Sequence, residues 1–229
     1  MAQLNVNGRN VCLSYSTNVH PAETLDELSR SLREHVAPIS RRAFGNAAAC
    51  VNLRVGMKQA DEMLAHAPLG STSYLTDDIL KAPPSPACEK FLDTLSAQKL
   101  NVVSINAFPI RDFHAPRVKE QVYSPPWTDG GRALYSLKIA KVMTHFMDHS
   151  GRVGIPAAIS VPSGVFNGLY PDSEEVRMQC AHFMTECVRE LLRLERLTGK
   201  TVVLGLEPVS YTHLRAHETK ANLVCRLLL

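Results

Sequence analysis

Glu207 is the residue whose placement most demands chemistry. It closes the apolar run Thr201–Leu206 and stands directly before Pro208. A carboxylate at the end of a buried strand is costly to desolvate unless it faces a cation or a polar ligand. Glu207 therefore reads as a metal ligand, with a salt bridge at the rim of the fold as the alternative. His114, in Phe113-His114-Ala115, and His20, in His20-Pro21, are candidate proton carriers, since imidazole changes charge near neutral pH. Each also has a plainer role, His114 as a surface loop residue and His20 as the start of a helix. Asn18 and Asn106 could orient a polyol through hydrogen bonds or simply satisfy loop backbone. Arg54 and Arg111 suit a phosphate. Trp127, followed by Phe166 and Tyr170, offers either a stacking surface for a sugar or planar metabolite, or packing for long loops. Asn52, Asp112 and Ser163 complete the polar residues near predicted strand ends. His145 and His149 lie at i and i+4 on a helix, but with no third ligand nearby they read as a helix face.

The elements that must position these residues repeat one unit. A β-prone run at residues 11–19 precedes a helical pattern from Pro21 through Leu25, Leu28 and Leu32 to Val36. Ala48–Val55 and Gln59–Ala67 form the next strand and helix. After a Pro-, Gly- and Ser-rich loop with one helical turn at Thr76–Leu80, helix returns at Cys88–Leu100. The strand Asn101–Phe108 is almost continuously apolar and leads through a long loop to the helix Arg132–His149. Ala157–Val161, the helix Ser173–Thr198 ending at Gly199, and the strand Thr201–Leu206 follow. Five strands alternating with helices predict parallel βαβ connections, hence a doubly wound sheet or a barrel. No GxGxxG follows the first strand and no GxxxxGK[ST] occurs, which lowers the nucleotide-binding alternatives. An eight-unit barrel takes about 250 residues, so the pattern predicts an incomplete (β/α)8 TIM barrel with about five βα units. Function in such a barrel sits at the C-terminal strand ends.

Composition narrows the classes. Of 229 residues, 45% are hydrophobic and 21% charged, ordinary for a globular domain. A net charge of +3 with dispersed Lys and Arg argues against a nucleic-acid partner. No apolar run approaches the ~20 residues of a membrane span, and no signal-peptide pattern opens the chain, so a cytoplasmic location without membrane insertion is expected. Six cysteines without a CxxC spacing read as reduced core thiols. Residues 209–229 have neither helical nor strand period, and the standard transposase sequencing adapter translates in one frame to Val209–Thr219 residue for residue. The expected organisation is thus 1–208 as the N-terminal part of a barrel domain and 209–229 as a non-native, adapter-derived tail. Such a fragment is expected to be inactive, with its first and last strands left as aggregation-prone edges.

The runs Leu13–Leu28, Ile105–Trp127 and Leu204–Pro208 together resemble the EboE family of metabolite-traffic proteins. That family is similar to xylose isomerases and to sugar-phosphate isomerases and epimerases. The resemblance implies a xylose isomerase-like barrel that handles a small metabolite or sugar-like substrate for export, alongside a membrane transport partner from the same gene cluster. It places Glu207 at the first metal-ligand glutamate of sugar isomerases and His114 in an FPxxxFH pattern. It further implies a divalent Mg, Mn or Zn ion in the full-length form, with the remaining Asp, His and Glu ligands on later strands. A non-catalytic binding or scaffold protein on the same barrel is the alternative.

Overall fold

A computed structural model of the chain describes residues 3–64, 75–108, 110, 122–151, 156–166 and 168–207. His114, Arg111, Asp112 and the segment 209–229 lie outside these residues, as does most of the FPxxxFH pattern. The chain opens with a hairpin absent from the strand pattern predicted above: β1 (Gln3–Val6) pairs antiparallel with β2 (Arg9–Cys12). Its two-residue turn is Asn7-Gly8, both at positive φ, the combination that matches strand twist across a tight hairpin. The predicted run 11–19 thus divides between β2 and β3 (Ser14–Ser16), before a 3₁₀ turn at Thr17–Val19.

The first helix starts later than predicted, because Thr24 rather than Pro21 sets its beginning. The Thr24 hydroxyl accepts from the Glu27 N–H while the Glu27 carboxylate accepts from the N–H of Thr24. This reciprocal cap satisfies two of the donors that a helix start leaves open and begins α1 (Leu25–Ser31). A π turn at Leu32–Val36 then joins α1 to α2 (Ala37–Phe44). Pro38 has no N–H to donate back along the helix, and the widened turn takes up the mismatch.

From there the predicted units recur with small boundary shifts: β4 (Ala49–Arg54), α3 (Met57–Leu64), α4 (Asp77–Lys81), α5 (Pro86–Ala97), β5 (Leu100–Asn106), α6 (Gly130–His149), β6 (Ala157–Pro162), α7 (Glu174–Thr198) and β7 (Val202–Glu207). Side-chain caps from Thr76, Ser85, Asp129 and Ser173 fix four helix starts. The strands β3 to β7 form one parallel sheet in sequential order, with β3 and β7 at its edges. The order does not reverse, so the sheet has no switch point of the kind that marks doubly wound folds.

Alternation gives the sheet two unlike faces. Val51, Leu53, Val55, Ile105, Ile159 and Val161 are fully buried in the core shared with Leu28, Leu32, Phe91, Tyr135 and Phe146 from the helices. Asn52, Ser104, Asn106, Ser160 and Glu207 alternate with these residues and remain partly exposed on the other face. Cys88, Cys180 and Cys187 are buried core thiols, whereas the Sγ atoms of Cys12 and Cys50 touch at 2.8 Å. Among the described residues no helix is long and apolar enough to cross a membrane.

Candidate functional site

The polar face is built in register. Ser16 stands opposite Asn52, and Asn52 opposite Ser104. The Ser16 hydroxyl donates to Asn52 Oδ1 at 3.3 Å, and Asn52 Nδ2 donates to Ser104 Oγ at 2.6 Å. A register shift creates this row. Val51 pairs with Val102 but Asn52 pairs with Ser104, so Val103 is an extra residue that changes the phase of β5. Without it Asn52 would meet Val103, and the polar residues of the two strands would not align.

At the far edge Glu207 sits beside Pro162 in register, and its Oε2 accepts the Ser160 hydroxyl at 2.9 Å. The main-chain carbonyl of Glu207 accepts the Ser163 N–H at 3.4 Å. The carboxylate is therefore held by a neighbouring strand and still partly open to solvent. A carboxylate with a serine hydroxyl can bind the hydroxyls of a small ligand or contribute one oxygen to a cation.

Asn18 follows Ser16 in the 3₁₀ turn, and its Oδ1 is buried without a hydrogen-bond partner among the described residues. An unsatisfied buried amide oxygen is costly, and an added hydroxyl or water would relieve it. Asn106 instead closes its own turn: its Oδ1 accepts the Phe108 N–H at 3.0 Å, the loop-satisfying alternative.

His20 belongs to a different place. Its ring stacks between Tyr15 and His35, with centroids at 5.9 and 4.5 Å, and its Nε2 lies 2.9 Å from the Tyr15 hydroxyl. Tyr15 alternates with Ser14 and Ser16 and packs against the helix-side core, so His20 lies on that side of the edge strand β3. It borders a cleft of about 360 Å³ with Glu23, Ser31, Glu34 and His35. Glu207 is on the opposite edge strand and the opposite face, and the structure does not bring the two together.

Arg54 and Trp127 support the loops. Arg54 is 2% exposed, and its Nη1 donates to Glu23 Oε1 and to the Ala22 carbonyl, both at 2.6 Å. It thereby fixes the approach to α1, with Gly56 just beyond packed so closely that a Cβ would sit 3.3 Å from the Ile110 carbonyl. Trp127 has no exposed surface. Its indole N–H donates to the Pro162 carbonyl at 2.7 Å and its backbone N–H to that of Gly164 at 3.3 Å, tying together the loops after β5 and β6. This burial corrects the expectation of a stacking surface: the ring has no face left for a ligand and takes the packing role. Tyr123 and Phe166 form a neighbouring aromatic pair, centroids 6.0 Å apart.

Sequence reasoning passed over Ser16, Ser104, Ser160 and Arg132. The serines carry a legible signal, small polar residues at period two among β-branched neighbours, but a single serine in a strand looks ordinary. Arg132 is wholly buried and donates to the carbonyls of Pro125, Phe108 and Val122 at 2.8, 2.9 and 2.7 Å. Burial lowers its pKa to about 10, partly offset by Tyr135. It organises the described part of the loop after β5. His145, predicted as part of a helix face, lies on that helix and is almost entirely buried, because α6 is enclosed on nearly all sides. Comparison with family models, curated proteins and solved structures found no match.

Proposed function

We propose that the chain is part of an EboE-like, xylose isomerase-type (β/α)8 barrel whose polar strand ends bind a small hydroxylated metabolite. The supporting observation is the partly exposed carboxylate of Glu207, held by Ser160 on the same face as the Ser16–Asn52–Ser104 row. The unreversed strand order supports the barrel. In this reading Glu207 accepts hydrogen bonds from ligand hydroxyls, Ser160 fixes its orientation, and the unsatisfied Asn18 Oδ1 takes a further hydroxyl. The bound molecule would pass to the membrane transport partner that the family resemblance implies.

The Mg, Mn or Zn ion implied by that resemblance requires more ligands than this face supplies. Among the described residues no group of three or more His, Cys, Asp or Glu is disposed to hold a metal. Glu207 offers a single carboxylate, so the described residues do not by themselves fit a metal site. Isomerase or epimerase chemistry would need ligands from outside them, and binding is the reading this geometry supports best.

The test begins with the native reading frame beyond the Glu207 codon, expressed as an uninterrupted protein and titrated with pentoses and pentose phosphates. Glu207→Gln should weaken binding by tenfold or more, about 1.4 kcal/mol, with an unchanged melting temperature. Stoichiometric divalent metal that is lost with Glu207→Gln would establish the isomerase-type site, whereas binding by metal-free protein would establish the carrier. Failure of every hydroxylated probe to bind would overturn both.

A further inference from the structure

The five-stranded sheet has a second end, at the N-terminal ends of its strands, opposite the polar mouth. Cys50 lies there as the second residue of β4 and is fully buried. Cys12 ends β2, the outgoing strand of the hairpin, and is only partly buried. The hairpin pairs with itself as a separate two-stranded sheet and runs into the larger sheet through the short link at Leu13. Between the end of β2 and the start of β4 the two sulfurs approach to 2.8 Å, although 38 positions separate them in sequence. A formed S–S bond measures about 2.05 Å, so bonding requires only a small closing movement.

We propose that Cys12 and Cys50 are a reversible thiol–disulfide pair that fastens the N-terminal hairpin to the base of the parallel sheet. The oxidant is a low-molecular-weight disulfide of the glutathione class. The Cys12 thiolate, the more accessible of the two, attacks one sulfur of that disulfide, forms a mixed disulfide and releases one small thiol. The Cys50 thiolate then attacks Cys12 Sγ, forming the Cys12–Cys50 bond and releasing the second small thiol. Two protein thiols lose two electrons to the reagent, and their two protons leave on the released thiols. A bond across this span closes a long loop of the unfolded chain, where a cross-link restricts the unfolded ensemble most.

The other described thiols make a useful contrast. Cys88 and Cys187 are fully buried, and burial raises both to about 12, so neither can serve as the accessible attacking thiol that Cys12 provides. The pair is independent of the ligand-binding reading, since neither cysteine lies at the strand ends that carry Glu207, Ser160 or Asn18.

The experiment treats the full chain with oxidised glutathione, blocks remaining thiols and digests it with trypsin. Trypsin leaves Cys12 in the peptide Asn10–Arg30 and Cys50 in Ala43–Arg54, each with a single cysteine. The expected product is these two peptides joined, lighter by two hydrogen atoms than their sum and separated again by a reductant. Cys50→Ser, lacking the resolving thiol, should instead retain glutathione on Cys12. Cys12→Ser should leave Cys50 unmodified while the protein stays folded. A wild-type protein that keeps glutathione on Cys12, or that leaves both thiols reduced, would overturn the proposal, as would cross-links between other cysteines at equal yield.

Discussion

The two longest helices, α6 and α7, follow consecutive loops and pack on each other, yet they bury themselves in opposite ways. α7 presents one face: Cys180, Cys187, Leu191 and Leu194 are buried, while Met178 and Leu192 point outward. α6 is buried almost all round, from Arg132 to Met147, between the sheet, α3 and α7. Its sequence is not correspondingly apolar, because it carries Arg132, Lys138, Lys141 and His145 into the interior. A charged side chain survives there only with a partner, and each of the three cations has one. Arg132 holds three carbonyls, Lys138 Nζ lies 2.6 Å from Asp61 Oδ1, and Lys141 Nζ donates to the Ala82 carbonyl at 2.8 Å. α7 is an ordinary amphipathic cover. α6 is an internal post: Arg132 fastens the described part of the loop after β5, Lys138 the helix α3, and Lys141 the chain just after α4.

The sharpest way to break this comparison is Arg132→Ala. It leaves three buried carbonyls without donors, and the expected cost is about 3–5 kcal/mol in chemical denaturation. A cost below about 1 kcal/mol would mean that the loop after β5 does not depend on α6. The next largest effect is in pH. Burial, then the Lys141 charge, lowers the His145 pKa to about 4, while Asp148 opposes and Lys200 adds to the shift. The unfolded chain binds that proton near pH 6.5 and the folded protein resists it, so stability should be full above pH 6.5 and fall as pH drops toward 4. The loss should reach about 2–3 kcal/mol, and His145→Leu should flatten that part of the profile. Smaller again is an asymmetry at the Lys138–Asp61 pair, whose side chains are 2% and 40% exposed. Asp61→Ala strands a buried ammonium and should cost about 2 kcal/mol, whereas Lys138→Met leaves a carboxylate that water can reach and should cost about 1 kcal/mol or less. Equal costs would show that the pair is solvated on both sides.

The same contrast explains what the sequence made legible. All five parallel strands and the helix α7 were readable, because their apolar spacing reports burial on one or two faces and their caps sit at fixed offsets. The buried character of α6 was not, since Lys138, Lys141 and His145 look like a solvated face until their partners are placed. The first hairpin was missed although Asn7-Gly8 is a strong local turn signal, because Val11 and Leu13 read as the start of a longer strand. In the candidate site, Glu207 stood out as a charge at the end of an apolar run. Its partner Ser160 did not, because a single strand serine looks ordinary, nor did the Ser16–Asn52–Ser104 row, whose Asn52–Ser104 step depends on a bulge at Val103 that looks in sequence like one more apolar strand residue. Trp127 was singled out by residue type and loop position and Arg54 by its place at a strand end, which do not reveal that the indole N–H is held by the Pro162 carbonyl and Arg54 by the Glu23 carboxylate and the Ala22 carbonyl.

The smallest expected effect tests the other side of the comparison. Leu192 is 52% exposed on α7, next to the buried Leu191. Alanine is at least as good a helix former as leucine, and a half-exposed side chain on the outer face gives up little packing when shortened. Leu192→Ala should therefore change stability by no more than about 0.5 kcal/mol in either direction. If thermal or urea unfolding instead reports a loss of 1.5 kcal/mol or more, at the scale of a buried leucine, the outer face of α7 is covered in the folded protein. The difference between the two helices would then be one of which neighbour covers them, and the amphipathic pattern of α7 would mark an interface in place of a solvent boundary.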